Sequence, residues 1–250
     1  MTNALVEVNG LRYRYPDGTL ALDGVDFRLE AGETVAVLGP NGSGKTTFVL
    51  HLNGLIEGEG SISICGMAIN KQTLPIIRRK VGLVFQDPDE QLFMPSVLED
   101  VAFGLLNAGL SPDEALPQAK HFLGLVGMET AMAKAPYHLS AGEKRRVAIA
   151  GVLAMQPEIL VLDEPTTFLD PPGQWDLLTL LSELPQAKIV VTHNTLFAEE
   201  LAGRAVFFDK GRIVADGRPS DLLRRFAWSP LRLSQGQARP SEGTGTSHAS

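Results

Sequence analysis

The chain has 250 residues, 44% of them hydrophobic and 20% charged, proportions that build a sizeable globular core and exclude a fibrous or low-complexity protein. A formal net charge of -7 argues against a broad electrostatic grip on nucleic acid, which relies on clustered Lys and Arg neutralising phosphates. The single cysteine, Cys65, excludes an intrachain disulfide, and the longest apolar run, Val147 to Met155, falls short of the roughly 20 residues that cross a bilayer.

Met1 to Leu5 lacks a basic stretch followed by an apolar one, so no secretory leader is expected. Leu5-Val6-Glu7-Val8 and the alternating Val25-Asp26-Phe27-Arg28-Leu29 predict strands, separated by turn chemistry at Pro16-Asp17-Gly18 and Glu30-Ala31-Gly32. A third, β-branched strand, Thr34-Val35-Ala36-Val37-Leu38, runs into Gly39-Pro40-Asn41-Gly42-Ser43-Gly44-Lys45-Thr46-Thr47 and then into the helical Phe48-Val49-Leu50. Strand, glycine loop and helix in that order form a cradle for a nucleoside triphosphate. Backbone N–H groups close around phosphate oxygens, the helix N-terminus adds positive partial charge, Lys45 reaches the outer phosphates and the Thr46 hydroxyl can ligate magnesium.

Further strands are predicted at Ser61-Ile62-Ser63-Ile64, where Cys65 reads as a small strand residue, and at Val81-Gly82-Leu83-Val84-Phe85. From Ser96 to Gln156 the spacing becomes helical, with Pro112 and Pro136 punctuating the connections, which predicts an inserted helical subdomain over about 87–156. The basic runs Arg78-Arg79-Lys80 and Lys144-Arg145-Arg146 read as solvated helix faces. Leu139-Ser140-Ala141-Gly142-Glu143 opens a helix, with Ser140 and Glu143 at capping-box spacing; it is either a good helix start or, through its free amides and the Ser140 hydroxyl, a second anion site.

Strand signals return at Ile159-Leu160-Val161-Leu162-Asp163, Lys188-Ile189-Val190-Val191-Thr192 and Ala205-Val206-Phe207-Phe208, with a helix from Gly173 to Glu183. Buried strands alternating with helices imply an α/β fold with a parallel sheet covered on both faces. Asp163-Glu164 would then stand at the ligand edge of that sheet, Asp163 in the magnesium shell and Glu164 polarising the attacking water. Residues 231–250, rich in Ser, Gly, Gln and Thr, read as a disordered tail after a domain spanning 1–230.

The order of glycine loop, Leu-Ser-x-Gly-Glu segment and Asp-Glu strand end resembles the nucleotide-binding subunit of ABC transporters, over about residues 5 to 225. The resemblance implies a P-loop NTPase core with an N-terminal antiparallel β subdomain and the helical insert. It implies ATP and Mg2+ as ligands and a dimer, either of like copies or with a sister ATPase, whose sites each join one glycine loop to the other chain's Ser140 helix start. By the same likeness Tyr15 stacks on adenine, with Tyr13 the competing aromatic. Gln86 senses magnesium and a membrane partner, Asp170 contacts the dimer partner, and His193 lies near the γ-phosphate. Taken singly, Tyr15 is also compatible with a strand aromatic and Gln86 with a strand end, and His193 reads first as a structural histidine.

Gln86-Asp87-Pro88-Asp89-Glu90-Gln91-Leu92-Phe93, with Glu143-Lys144-Arg145-Arg146-Val147-Ala148-Ile149-Ala150, narrows the resemblance to energy-coupling-factor importer ATPases, whose cargoes are cobalt, nickel or vitamins, and within them to the cobalt and nickel branch. That implies peripheral attachment to integral membrane subunits at the cytoplasmic face, without nucleic acid as a partner. Two positions depart from the family pattern. Ala141 stands where a second glycine is usual, and Phe168 in Thr166-Thr167-Phe168-Leu169-Asp170 is bulkier than usual. Relatives of this ATPase head that act on chromosomes or ribosomes carry long heptad helices or two heads. Here about 118 residues separate Lys45 from Asp163, and one glycine loop is present.

Overall fold

A computed structural model describes residues 4–228; the tail expected to be disordered lies outside them. Strands β1 (Ala4–Arg14), β2 (Leu20–Glu30), β3 (Thr34–Leu38) and β4 (Glu59–Ile64), with the two-residue β5 (Met67–Ala68), open the chain, and helix α1 (Lys45–Leu52) follows β3. Helix α2 (Leu74–Lys80) feeds directly into β6 (Val81–Val84), and then come α3 (Val97–Asn107), α4 (Pro112–Leu125) and α5 (Ala141–Ala154). The C-terminal part alternates β7 (Ile159–Asp163), α6 (Pro171–Glu183), β8 (Ala187–Val191), α7 (Thr195–Leu201), β9 (Arg204–Asp209), β10 (Arg212–Gly217) and α8 (Pro219–Arg225).

Two sheets result. An antiparallel sheet has the order β2-β1-β4-β5, and a six-stranded sheet has the order β10-β9-β3-β8-β7-β6. In the second sheet β9, β3, β8, β7 and β6 run parallel, and β10 returns antiparallel along β9 as an edge strand. The β-branched runs pack on both faces with a period of two. Val35, Val37, Ile159, Val161, Ile189 and Val191 meet α1 and the antiparallel sheet. On the opposite face Leu160, Leu162 and Val190 meet α3 to α6, while Ala36 and Leu38 meet α7, α8 and β9. Both faces being covered is what makes these strands near-continuous apolar segments, and it leaves their C-terminal ends as the free edge for a ligand.

Three local expectations are corrected. Pro112 does not sit in a connection; it opens α4 at its first position, where the missing N–H costs nothing. Cys65 is not in a strand but in the turn after β4, at a φ of 48°, with its Sγ 3.4 Å from Glu158 Oε2. Lys144-Arg145-Arg146 is not a solvated face throughout, because Arg145 is 1% exposed.

Candidate nucleotide site

The turn at Pro16-Asp17-Gly18 folds the end of β1 against β2, and this places Tyr15 beside α1, where its hydroxyl and Thr47 Oγ1 are hydrogen-bonded at 2.9 Å. Tyr15 lines a cleft of about 540 Å3 together with Asn41, Gly42, Gly44, Lys45, Thr46 and Thr47 from the glycine loop, Gln86 after β6, Asp163 and Glu164 after β7, and His193 after β8. Tyr13 does not line it; its ring packs edge-on to Tyr15 and to His51. Gly39, Pro40 and Ser43 also stand outside the lining. Gly39 has a φ of 137° and a Cβ there would lie 2.2 Å from the Phe208 carbonyl oxygen, so its smallness lets the loop leave β3 against β9. Ser43 is buried, and its carbonyl accepts from the Gly211 N–H at 2.9 Å.

Lys45 Nζ donates to the carbonyls of Gly39 at 2.8 Å and Pro40 at 2.9 Å, inside the loop it was expected to reach beyond. These acceptors satisfy an ammonium whose burial draws its pKa below the usual lysine range, against the pull of Glu164 and Asp163. The Thr46 hydroxyl donates to Asp163 Oδ2 at 2.8 Å, and Asp163 Oδ1 is buried with no partner. Burial raises the Asp163 pKa, and the Thr46 hydroxyl and Lys45 charge oppose that rise. A threonine hydroxyl beside an orphaned carboxylate oxygen is a hard-oxygen donor set that fits magnesium.

Glu164 sits at a φ of 47°, which turns its side chain off the strand end and into the cleft. Its Oε2 accepts from the His193 N–H at 3.2 Å, and its Oε1, 3.3 Å from His193 Nε2, has no hydrogen-bond partner. Burial, with a smaller push from Asp163, lifts this carboxyl from 4.5 to about 7, a range suited to a group that takes a proton near neutrality. Burial, with a smaller push from the Lys45 charge, lowers the His193 pKa and so favours the neutral ring.

The Ser140 segment lies elsewhere. Ser140 caps α5, accepting from the Glu143 N–H at 3.3 Å, while Glu143 Oε2 accepts from the Ser140 N–H at 2.8 Å. Ser140, Ala141, Gly142 and Glu143 line a second cleft of about 740 Å3 with Phe168 and Asp170. Asp170 caps α6 through the Gly173 N–H at 3.0 Å, and Phe168, at a φ of 66°, is 69% exposed. The chain therefore gathers Tyr15, Lys45, Thr46, Gln86, Asp163, Glu164 and His193 in one place and Ser140 to Glu143 with Asp170 in another.

Sequence reasoning missed two sets of residues. Thr19, Leu20, Ala21, Thr167 and Val191 also line the first cleft. They arrive through hairpin and strand-end geometry that no spacing marks. Arg145, whose guanidinium donates to the carbonyls of Phe85 and Gln86, did carry a signal. It lies three, four and seven residues before the buried Ala148, Ile149 and Val152, on the core face of α5.

The family model described as ABC transporter matches residues 22–167. The chain belongs to the ABC transporter family. A curated relative, the energy-coupling factor transporter ATP-binding protein EcfA of Methanococcus maripaludis, is 46% identical over 226 residues, spanning 88% of this chain and 81% of that protein. Of solved structures, cbiO1 from Clostridium perfringens, part of the ABC transporter complex cbiONQ, has a TM-score of 0.80 at 37% identity, covering 90% of this chain and 92% of that one. The ATP-binding cassette MJ0796, as a dimer in a post-hydrolysis state bound to ADP and Pi, has a TM-score of 0.79 at 29% identity, covering 86% of this chain and 98% of that one. This ABC cassette is thus an ATPase subunit of a transporter, and the two sheets and helical insert are those of the ABC ATPase fold. Among the described residues no helix is long and apolar enough to cross a membrane.

Proposed function

We propose that this ABC ATPase powers import of cobalt or nickel ions as one half of a closing dimer, bound peripherally to integral membrane subunits at the cytoplasmic face. The observation that carries the reading is the separation of the two clefts. The phosphate-binding groups and Glu164 share one, whereas the Ser140 helix start, with its free amides, lines the other. A nucleotide held by the first cleft of one copy meets the Ser140 end of a second, so neither chain completes a site alone. The cobalt and nickel assignment rests on the likeness of the segments Gln86 to Phe93 and Glu143 to Ala150 to that branch of importer ATPases, while similarity to cbiO1 and EcfA supports a transporter ATPase.

Within the composite site Tyr15 would stack on adenine, and the loop amides with Lys45 would hold the phosphates. Thr46, Gln86 and Asp163 would hold Mg2+, which neutralises charge on the outer phosphates when bound. Glu164 orients the attacking water and accepts its proton, and His193, hydrogen-bonded through its N–H to that carboxylate, stands against the γ-phosphate. The Ala141 and Gly142 amides of the other copy, which the capping box does not use, and its Ser140 hydroxyl stabilise the charge that develops in transfer. Beside Gln86, a groove of about 410 Å3 lined by Phe85, Leu92, Phe93 and Phe103 gives the membrane subunit an apolar seat. Dimer closure would move that seat.

Glu164→Gln tests the base: ATP binding persists, turnover is lost and the dimer is trapped, whereas undiminished steady-state hydrolysis refutes the assignment. For cargo, cells carrying Lys45→Ala should lose uptake of radioactive cobalt or nickel, and unchanged uptake of both contradicts the metal reading.

A further inference from the structure

The first turn of α5 faces two ways. On one side Ser140 and Glu143 form the capping box at the second cleft. On the other, the next two residues hold the loop that carries Gln86. Lys144 Nζ pairs with Asp89 Oδ1 at 2.6 Å, and the Arg145 guanidinium donates from separate nitrogens to the carbonyls of Phe85 and Gln86. Farther along that loop, Asp100 Oδ1 of α3 accepts from the N–H groups of Phe93 and Met94, each at 3.0 Å. Gln86 itself lines the nucleotide cleft.

Among the described residues Arg145 is the largest of the fully buried side chains, and its Nε has no partner there. A buried guanidinium with one donor unsatisfied is a poor way to stabilise a core, because an apolar side chain of like volume avoids the desolvation cost. What a guanidinium offers in exchange is a rigid planar fork that fixes two successive carbonyls at once, which a lysine ammonium cannot do. Those two carbonyls belong to the residues where β6 ends and the loop begins, so they set the direction in which the Gln86 side chain leaves the backbone.

We propose that Arg145 is a positioning residue that ties the main chain at Phe85 and Gln86 to the helix beginning at Ser140, so that engagement of the Ser140 end sets Gln86 in the nucleotide cleft of the same chain. The consequence rests on the roles given above to Ser140 and Gln86. It makes each chain a relay: closure at its own second cleft is felt at its own magnesium-facing glutamine, without a change in the residues that touch ATP.

The test is a double-mutant cycle on the full chain, with steady-state ATP hydrolysis as the readout and thermal melting as the control for folding. Arg145→Gln should lower kcat about tenfold while KM for ATP stays within about threefold, since misdirecting a positioned group costs rate before it costs binding. Arg145→Lys, which reaches one carbonyl, should fall between Arg145→Gln and the unaltered chain. In a Gln86→Ala background, Arg145→Gln should have little further effect on kcat, because the side chain it positions is gone. Losses that multiply in full overturn the inference and leave the role of Gln86 standing. A Gln86→Ala chain that hydrolyses ATP normally refutes that role of Gln86, and the inference falls with it. Failure of both Arg145 variants to fold, or an equal loss of ATP binding and turnover, assigns the guanidinium to the core alone and overturns it as well.

Discussion

Replacing Glu164 by Gln should make the nucleotide-free chain more stable, and by an amount that depends on pH. The Glu164 side chain is 12% exposed, its Oε1 lacks a hydrogen-bond partner, and burial lifts its pKa from 4.5 to about 7. Between those two values the folded chain holds a proton that the unfolded chain has released. Folding stability therefore falls as pH rises through that window, and below it both states are protonated and the effect vanishes. At about 1.4 kcal/mol per pH unit, the rise costs the folded state about 3 kcal/mol by pH 8. The substituted amide would imitate the neutral acid and never incur that cost. For a chain of this size the difference amounts to roughly 6–12 °C in melting temperature at pH 8 and little near pH 4.5. Thermal melts of both proteins without nucleotide, across pH 4.5 to 8 at constant salt, measure it. An equal gain at every pH, or a loss at pH 8, would refute the claim that a buried, weakly compensated charge sits at this strand end.

Gly39→Ala, which places a Cβ 2.2 Å from the Phe208 carbonyl oxygen at a φ of 137°, should destabilise the chain by about 3 kcal/mol or more, whereas Gly42→Ala, with open space around its Cβ, should cost about 1 kcal/mol; chemical denaturation compares them. Tyr15→Phe removes the bond to Thr47 Oγ1 at a cost of about 1 kcal/mol in stability, and calorimetric ATP affinity should survive it, while Tyr15→Ala should weaken ATP binding about tenfold by removing the stacking ring. Ser140→Ala deletes the acceptor for the Glu143 N–H and should lower stability by about 1 kcal/mol, read from the same denaturation curves.

Much of this architecture was legible because burial dictates it. Strands packed on both faces, such as Thr34–Leu38 and Ile159–Asp163, must be apolar along almost their whole length, and the phosphate cradle that follows the first needs Gly39 and Gly44 where a Cβ would meet backbone. The capping box at Ser140 and Glu143 was equally plain, since its two hydrogen bonds need those residue types three apart. The parts that sequence patterns passed over are short or exposed. Helix α7 has seven residues, and β10 alternates between half-buried and exposed positions, so neither sums enough periodic signal to stand out. Arg145 differs from its expectation for another reason: its place on the core face of α5, and not its charge, decides its burial. The direction of Lys45 depends on which carbonyls the folded loop offers, and residue spacing does not encode that.

Mixing two inactive variants tests the shared site most directly. Lys45→Ala disables the phosphate grip in the first cleft, and Ser140→Arg blocks the helix start in the second. If each site joins the first cleft of one chain to the second cleft of another, a mixed dimer contains one doubly damaged site and one intact site. An equal mixture should then recover about a quarter of the unaltered chain's ATP hydrolysis, as expected for half the dimers each with one of two symmetric sites working. A mixture as inactive as its components, or a Ser140→Arg chain that hydrolyses ATP at full rate by itself, would contradict a site built from two copies.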